Sequence, residues 1–419
     1  MNIKQISAIG GAVALILCWP FVVGHMAQLS IERGMSLLTN DNTRTEIIQY
    51  DRGYLSSTLK IRFSVVKKEL RDELAESGFP TELTLDTHLE HGLVSLHGET
   101  YIEGLPEFLE LKTNTYLSGK TDFDLMVNEW KTTQQSDVAS FSIANAEFKG
   151  SFNIDGRIKY KLQIPYLNIS SSSNKSVSFA NIDFEGSGTK LNSVWIGSHS
   201  LKTGKINVGQ DSDSYELKWD KSRYEFSSNL DDEDNRVITR HVAELHNIET
   251  DEGEIEHALF DFELGDMDSV AFDQLINFYR DGEQSKTASA VEKIKPYIEQ
   301  LFSRGFYVAL NALSIEISDD SKVNASLKLS IPEGTDGVSD NPTVIISKLT
   351  GTASSQLTRG FSGQFPLIQQ GISRAQQNGF VSEIDDSYFI DAEINNGNVD
   401  FSTGQKLPLM SLLIPLVTQ

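Results

Sequence analysis

Three histidines, His88, His91 and His97, fall close together in the chain, and imidazoles so grouped raise the question of a metal. Residues three apart on a strand face opposite ways, so His88 and His91 could share an ion only across a turn, for which Gly92 is the candidate. Ordinary histidines on a polar strand face are the expectation. Nucleophile chemistry has one near-match. Gly360-Phe361-Ser362-Gly363-Gln364 approaches the elbow that presents a serine to its base, but lacks the final glycine. Gly186-Ser187-Gly188 is followed by Thr189-Lys190-Leu191, which fails the dinucleotide fingerprint and reads as a hairpin turn. No phosphate-cradling Gly-x4-Gly-Lys-Ser/Thr and no calcium loop occurs. Cys18 is the single cysteine, so neither a disulfide framework nor a cysteine zinc site can form within one chain. No cofactor, metal site or catalytic residue is therefore expected, although a site assembled from distant strands leaves no trace in sequence.

Charge narrows the partners. The 419 residues carry 36 Lys+Arg against 59 Asp+Glu, a net charge of -23. A surface this acidic repels phosphate backbones, which excludes nucleic acid. The acidity peaks from Asp231 to Glu256, where ten carboxylates stand against Arg236 and Arg240. A solvated loop and polar strand face is the expectation there, and a site for a cation or basic partner the alternative.

The elements that must position any site alternate with period two. Thr58 to Val65 alternates polar and apolar without fault, and the pattern returns in Leu83–Leu89, Phe123–Val127, Ile158–Ile164, Ile206–Val208, Leu313–Ile317, Ser326–Ile331 and Val399–Phe401. Such half-buried strands belong to antiparallel sheets, since parallel sheets are covered on both faces. Helical periodicity is confined to Ser30–Leu38, which continues the N-terminal apolar helix outward, Lys67–Glu76, Asp268–Tyr279 with Asp268 as N-cap candidate, Ser289–Ser303 and Phe365–Gln377.

The start of the chain differs. Ile6 to Gly24 is an apolar run of 19 residues broken only by Ser7, which as a helix rises about 28 Å, close to the hydrocarbon thickness of a bilayer. Lys4 precedes the run and the acidic bulk follows, so the positive-inside rule puts the N-terminus in the cytoplasm. His25 and Ala27 make a poor cleavage site, and Leu17 before Cys18 a poor lipoprotein site, which favours an uncleaved signal anchor.

At Tyr50-Asp51-Arg52-Gly53-Tyr54-Leu55-Ser56-Ser57 the chain resembles the YdgA-like family of bacterial envelope proteins, whose function is unknown. Glu90-His91-Gly92 resembles the family's His-Gly element, with Leu93 where proline is usual. The ending, Gly397-Asn398-Val399-Asp400-Phe401 and then Thr403 to Pro408, resembles its closing hairpin, with Thr403 where Asn is common. The resemblance implies an anchored, sheet-rich envelope protein and brings no catalytic residue. From the residues alone, Gly53 permits a tight bend, Arg52 can meet a carboxylate or carbonyls, and Tyr54 would pack on the sheet.

The expected fold is mainly β, α+β in detail: an N-terminal transmembrane helix followed by a large twisted antiparallel sheet with a few peripheral helices. Residues 1–4 form the cytoplasmic end, 5–27 the anchor, 28–280 a periplasmic β-rich region, and 281–419 a helix-strand region packing on the same sheet. The expected role is a binding or scaffold protein of the bacterial cell envelope, held in the inner membrane, without catalytic activity. The alternative is a lipid or amphiphile carrier using the apolar face of a curved sheet, and the second alternative an envelope hydrolase. Tyr50, Arg52, Gly53, Tyr54, Ser57 and His91 are the candidate ligand or partner contacts. A homodimer through exposed sheet edges is the expected self-association.

Overall fold

A computed structural model describes residues 42–411 apart from 77–79, 93, 132–139, 171–174, 212–213, 252 and 281–287. The cytoplasmic end and anchor expected over residues 1–27, and the helical continuation expected over 30–38, lie outside the described residues, as does the soft boundary expected at 281–287. Among the described residues no helix is long and apolar enough to cross a membrane. Among the described residues the protein is mainly β, with 22 strands in one sheet and antiparallel pairing, the arrangement that alternation favours. It divides into two compact units, the first extending to Gly186 and taking in Ile206–Tyr215, the second comprising Ser187–Lys205 and the chain from Glu216 onward.

The first unit holds β1 (Thr43–Arg52), β2 (Ser56–Val65), α1 (Lys68–Glu76), β3 (Glu82–His91), β4 (Ser95–Ile102), β5 (Leu105–Tyr116), β6 (Thr121–Val127), β7 (Trp130–Lys131), β8 (Ser140–Ile143), β9 (Ala146–Phe152) and β10 (Ile158–Ser170). Strands β1 to β6 form a meander, after which β6 pairs β9, β9 pairs β10, β10 pairs β8 and β8 pairs β7. The alternation in β2 predicts its dry face: Ser57, Leu59 and Ile61 are buried, with Leu89 of β3 and Ile102 of β4 on the same layer. Within it the Thr87 and Thr100 hydroxyls bond each other at 2.9 Å, so neither buried oxygen is left without a partner.

Three long strands, β11 (Ser176–Leu191), β12 (Val194–Asp211) and β13 (Ser214–Asp231), contribute residues to both units. The hairpin turn expected at Gly186-Ser187-Gly188 is instead the interior of β11. Gly188 serves close approach rather than a turn: a Cβ there would stand 2.7 Å from the Trp195 indole.

The second unit continues with β14 (Arg236–Thr250), β15 (Gly253–Asp268), α2 (Ser269–Arg280), α3 (Ala288–Arg304), β16 (Phe306–Ser318), β17 (Ser321–Ile331), α4 (Val344–Lys348), β18 (Thr350–Thr358), α5 (Arg359–Gln364), α6 (Pro366–Gln377), β19 (Ser382–Ile384), β20 (Ser387–Asn395), β21 (Asn398–Phe401) and β22 (Lys406–Pro408). Its core forms where α2 and α3 cover the sheet. Met267, Ala271 and Leu301 are buried there, with Leu264, Phe272, Leu275, Tyr297 and Phe306 against them. Asp268 caps α2 as its position predicts: Oδ1 accepts the Ala271 N–H at 2.9 Å. The same carboxylate, 1 % exposed, accepts from Gln300 and Arg304 of α3 at 2.9 Å each, which fastens the second helix to the first. The closing hairpin turns at Asn396-Gly397, both with positive φ, between the pair Asn395 and Asn398; a two-residue turn of this kind matches the twist of its strands.

Candidate functional site

The candidate contacts of the first motif separate into a buried half and an exposed half. Ser57 on β2 and His91 on β3 are 2 % and 4 % exposed, and Ser57 Oγ lies 2.8 Å from His91 Nε2. His91 Nδ1 is 3.2 Å from the Tyr54 carbonyl oxygen, an acceptor only, so Nδ1 carries the proton and Nε2 accepts from the serine hydroxyl. That is the order of a nucleophile, its base and an orienting group. Burial of both side chains denies a reacting carbonyl access to Oγ, and the orienting group is a neutral carbonyl rather than a carboxylate. The pair therefore works as a clamp: the His91 backbone N–H donates to the Leu55 carbonyl at 2.7 Å, and the Gly53 backbone N–H to Ser56 O at 2.7 Å. A Cβ on Gly53 would stand 2.8 Å from that same oxygen, so glycine is required for the bend.

Tyr50 is half-buried opposite Leu59, and Arg52 and Gly53 are exposed. Tyr54, expected to pack on the sheet, is 46 % exposed, and its backbone carbonyl meets the His91 ring. The three clustered histidines are not gathered. His88 is exposed on the opposite face from His91, as a separation of three on a strand demands, and His97 stands 3.7 Å from Glu99. His91 itself leaves the polar face expected for it, since Leu89 and His91 alternate inward with Thr87. Ser362 of the elbow-like segment is buried in α5, donating to the Arg359 carbonyl at 3.0 Å, which is helix back-bonding and not catalysis.

A larger feature lies on the dry face of β6, β8, β9 and β10. Leu125, Val127, Ile143, Ala146, Phe148, Ile158, Tyr160, Leu162 and Ile164, with Phe184 of β11, line a groove of about 490 Å³. Strand periodicity places them: Leu125 and Val127, Ala146 and Phe148, and every second residue from Ile158 to Ile164 share one face. Register joins them into rows, Leu125 and Leu162 both opposite Phe148, and Val127 opposite Ala146. Rings run along the floor, with Phe148 6.2 Å from Tyr160 and Tyr160 5.3 Å from Phe184. Apart from the Tyr160 hydroxyl, no lining side chain carries a polar atom. Burial among these rings pushes the Tyr160 phenol above its ordinary value.

The reverse face is wet. Lys149 pairs Asp124 and Glu147 at 3.4 and 2.5 Å, Lys161 pairs Asp183 at 3.5 Å, and Lys159, Lys161 and Gln163 are all exposed. Only one face of this sheet is therefore suited to apolar matter. Of the groove, Ala146 alone is fully buried; Leu125, Phe148, Ile158, Tyr160, Leu162 and Ile164 are only half-buried. The alternation in Phe123–Val127 and Ile158–Ile164 is legible in sequence, but the contribution of β8 and β11, and the fact that the face stays open, are not.

A family described as bacterial protein of unknown function (DUF945) matches residues 3–410. No curated protein and no solved structure matches the chain.

Proposed function

The chain belongs to the DUF945 family, and from that premise and the open apolar groove we propose that it binds a lipid or similar amphiphile in the bacterial cell envelope. The groove on β6 and β8–β10 carries this reading. Its 490 Å³ falls within the roughly 300–1,000 Å³ of small-ligand sites, and such sites are mostly apolar with few polar groups. An acyl chain needs no hydrogen-bond partner, so a lining with a single hydroxyl suits it and suits a polar metabolite poorly. In this reading residues 5–27 hold the chain in the inner membrane with the N-terminus in the cytoplasm, and the kinship within the family is to its YdgA-like members. The charged wet face, on a chain of net charge -23, keeps the loaded protein soluble outside the bilayer.

The full chain, extracted in mild detergent, is expected to carry a co-purifying amphiphile that native mass spectrometry resolves and solvent extraction releases. Phe148→Asp and Leu162→Asp, which set a charge in the groove, are expected to lose it while the thermal transition stays. Wild-type protein bare of amphiphile, or the same amphiphile retained by both variants, contradicts the reading. Bare protein with a stoichiometric protein partner would instead support a scaffold, for which the exposed Arg52 and Tyr54 surface is the reserve candidate.

A further inference from the structure

The second unit places two imidazoles and a carboxylate together on adjacent strands. His246 of β14 pairs directly with His257 of β15, and Glu244 lies two residues before His246 on the same face. Glu244 Oε1 is 3.1 Å from His257 Nε2 and 3.4 Å from His246 Nε2. The rings lie 4.7 Å apart, and one ligand atom from each residue falls within 4.8 Å of the others. A tetrahedral Zn²⁺ with bonds of about 2.0–2.2 Å to nitrogen and oxygen has ligand-to-ligand edges of roughly 3.3–3.5 Å. The two carboxylate–imidazole distances already approximate that edge, and only the imidazole pair must adjust.

The surroundings favour a cation. Arg223 Nε stands 3.4 Å from Glu244 Oε2, leaving Oε1 for the imidazoles and fixing the plane of the carboxylate, as outer-shell partners of metal ligands do. The His257 contact first, and Arg223 after burial is set against it, hold the Glu244 carboxyl below its ordinary range. Asp220 of β13 lies opposite His246, and Glu316 of β16, engaged by Lys322, lies opposite His257. Two further carboxylates thus flank the imidazoles along one row, Asp220 itself paired with Lys205 at 3.9 Å, while Glu225 at 3.3 Å offsets the Arg223 charge. The β13–β14 ladder is broken beside this row, where Lys221 and Asn247 take φ of +53° and +52°. Bulges re-aim neighbouring side chains and gather next to functional positions. Side-chain exposures of 40 % for His246, 24 % for His257 and 26 % for Glu244 leave the pocket open to water on one side.

We propose that Glu244, His246 and His257 bind one divalent transition-metal ion, of which Zn²⁺ is the fitting member, through Oε1 and the two Nε2 atoms, with a coordination position left to solvent. Two imidazoles and one carboxylate suit zinc, and an open position distinguishes such a set from a closed structural site. The site stands apart from the amphiphile reading, and either can fail alone.

The test uses the full chain without a histidine tag, stripped with chelator and titrated with ZnCl2 by calorimetry. A single equivalent is expected to bind, and Co²⁺ in its place to give the visible absorption of a tetrahedral nitrogen–oxygen field. Glu244→Gln and His257→Gln are each expected to weaken binding by at least ~10-fold, the lower bound even for outer-shell losses. His97→Gln, which removes an exposed imidazole elsewhere, is expected to change nothing. One equivalent of Zn²⁺ is expected to abolish the Co²⁺ spectrum of the wild type by displacement, a readout that holds even if a variant fails to fold. Wild-type protein that takes up no Zn²⁺, or Glu244→Gln and His257→Gln proteins that take it up as tightly as the wild type, overturn the proposal.

Discussion

Strands β10 and β15 follow the same alternation, and their dry faces meet different fates. Along β15 the last apolar positions, Leu264 and Met267, lie beneath two helices, where Met267 and the adjoining Ala271 are 5 % and 0 % exposed, while Phe260 farther back stays 42 % exposed. Along β10, Ile158, Tyr160, Leu162 and Ile164 line a groove and stay half-buried. The chain after β15 supplies its own cover: Asp268 caps α2, and its second oxygen receives Arg304 of α3. In the first unit the only described helix is α1, Lys68–Glu76, whose Lys68, Glu69, Arg71 and Asp72 suit water and not a dry sheet face. A sheet buries its apolar face only where an amphipathic element returns to it. Where none does among the described residues, as on β10, the face stays open.

Truncation should expose this contrast most strongly. Leu301→Ala, in the covered core, is expected to cost about 3 kcal/mol, in the lower part of the range for buried leucines. Leu162→Ala, in the groove, is expected to cost less than about 1 kcal/mol, because its atoms already meet solvent in part. Urea midpoints of the two variants decide the matter, and equal losses would mean that the groove is an ordinary core.

Next comes the latch beneath the helices. Asp268→Asn leaves the Arg304 guanidinium without its counter-charge and weakens the cap of α2; with Arg304 partly exposed, a loss of about 2 kcal/mol is expected. A double-mutant cycle with Arg304→Met should show strong coupling, whereas additive losses would deny that Asp268 joins the two helices.

A smaller effect depends on pH. The Arg240 side chain, bonded to Asp261 at 2.9 and 2.5 Å, together with Asn311 at 3.3 Å, holds this buried carboxyl below its ordinary value against the opposing effect of burial. A depressed folded value means stability that is complete above the unfolded value of about 3.9 and is lost as pH falls through the folded one. Asp261→Asn is therefore expected to cost about 1–2 kcal/mol at neutral pH, discounted for the half-exposed arginine, and nothing in strong acid. An equal loss at both pH values in chemical denaturation would contradict the ion pair as its cause.

Smallest is a pair of tyrosine titrations. Burial, and then the hydrogen bond to Glu263 at 2.7 Å, push the Tyr307 phenol up to about 12. Glu263→Gln is expected to lower it in ultraviolet absorbance and leave Tyr160 unmoved, since burial alone raises Tyr160. Amphiphile in the groove should raise Tyr160 further and spare Tyr307. If neither ligand nor substitution separates the two, the groove and the covered unit are not the distinct environments described above.

What the amino-acid order determined by itself was local. Alternation in Thr58–Val65 and Ile158–Ile164 dictates strands with one dry face, because side chains on a strand must alternate. Asp268 before an apolar stripe dictates a capped helix, and Asn396-Gly397 a tight turn, because each rests on hydrogen bonds and dihedrals within a few residues. Tertiary structure alone decided what was non-local. Ser57 and His91, 34 residues apart, meet only through the pairing of β2 with β3, and Leu125 joins Phe148 and Leu162 only because β6 passes over β7 and β8 to pair with β9. Glu244 and His246 share a face by periodicity, yet His257 joins them only through the register of β14 on β15. Register and cover are set by the sum of contacts across the whole sheet, and no stretch of sequence contains that sum.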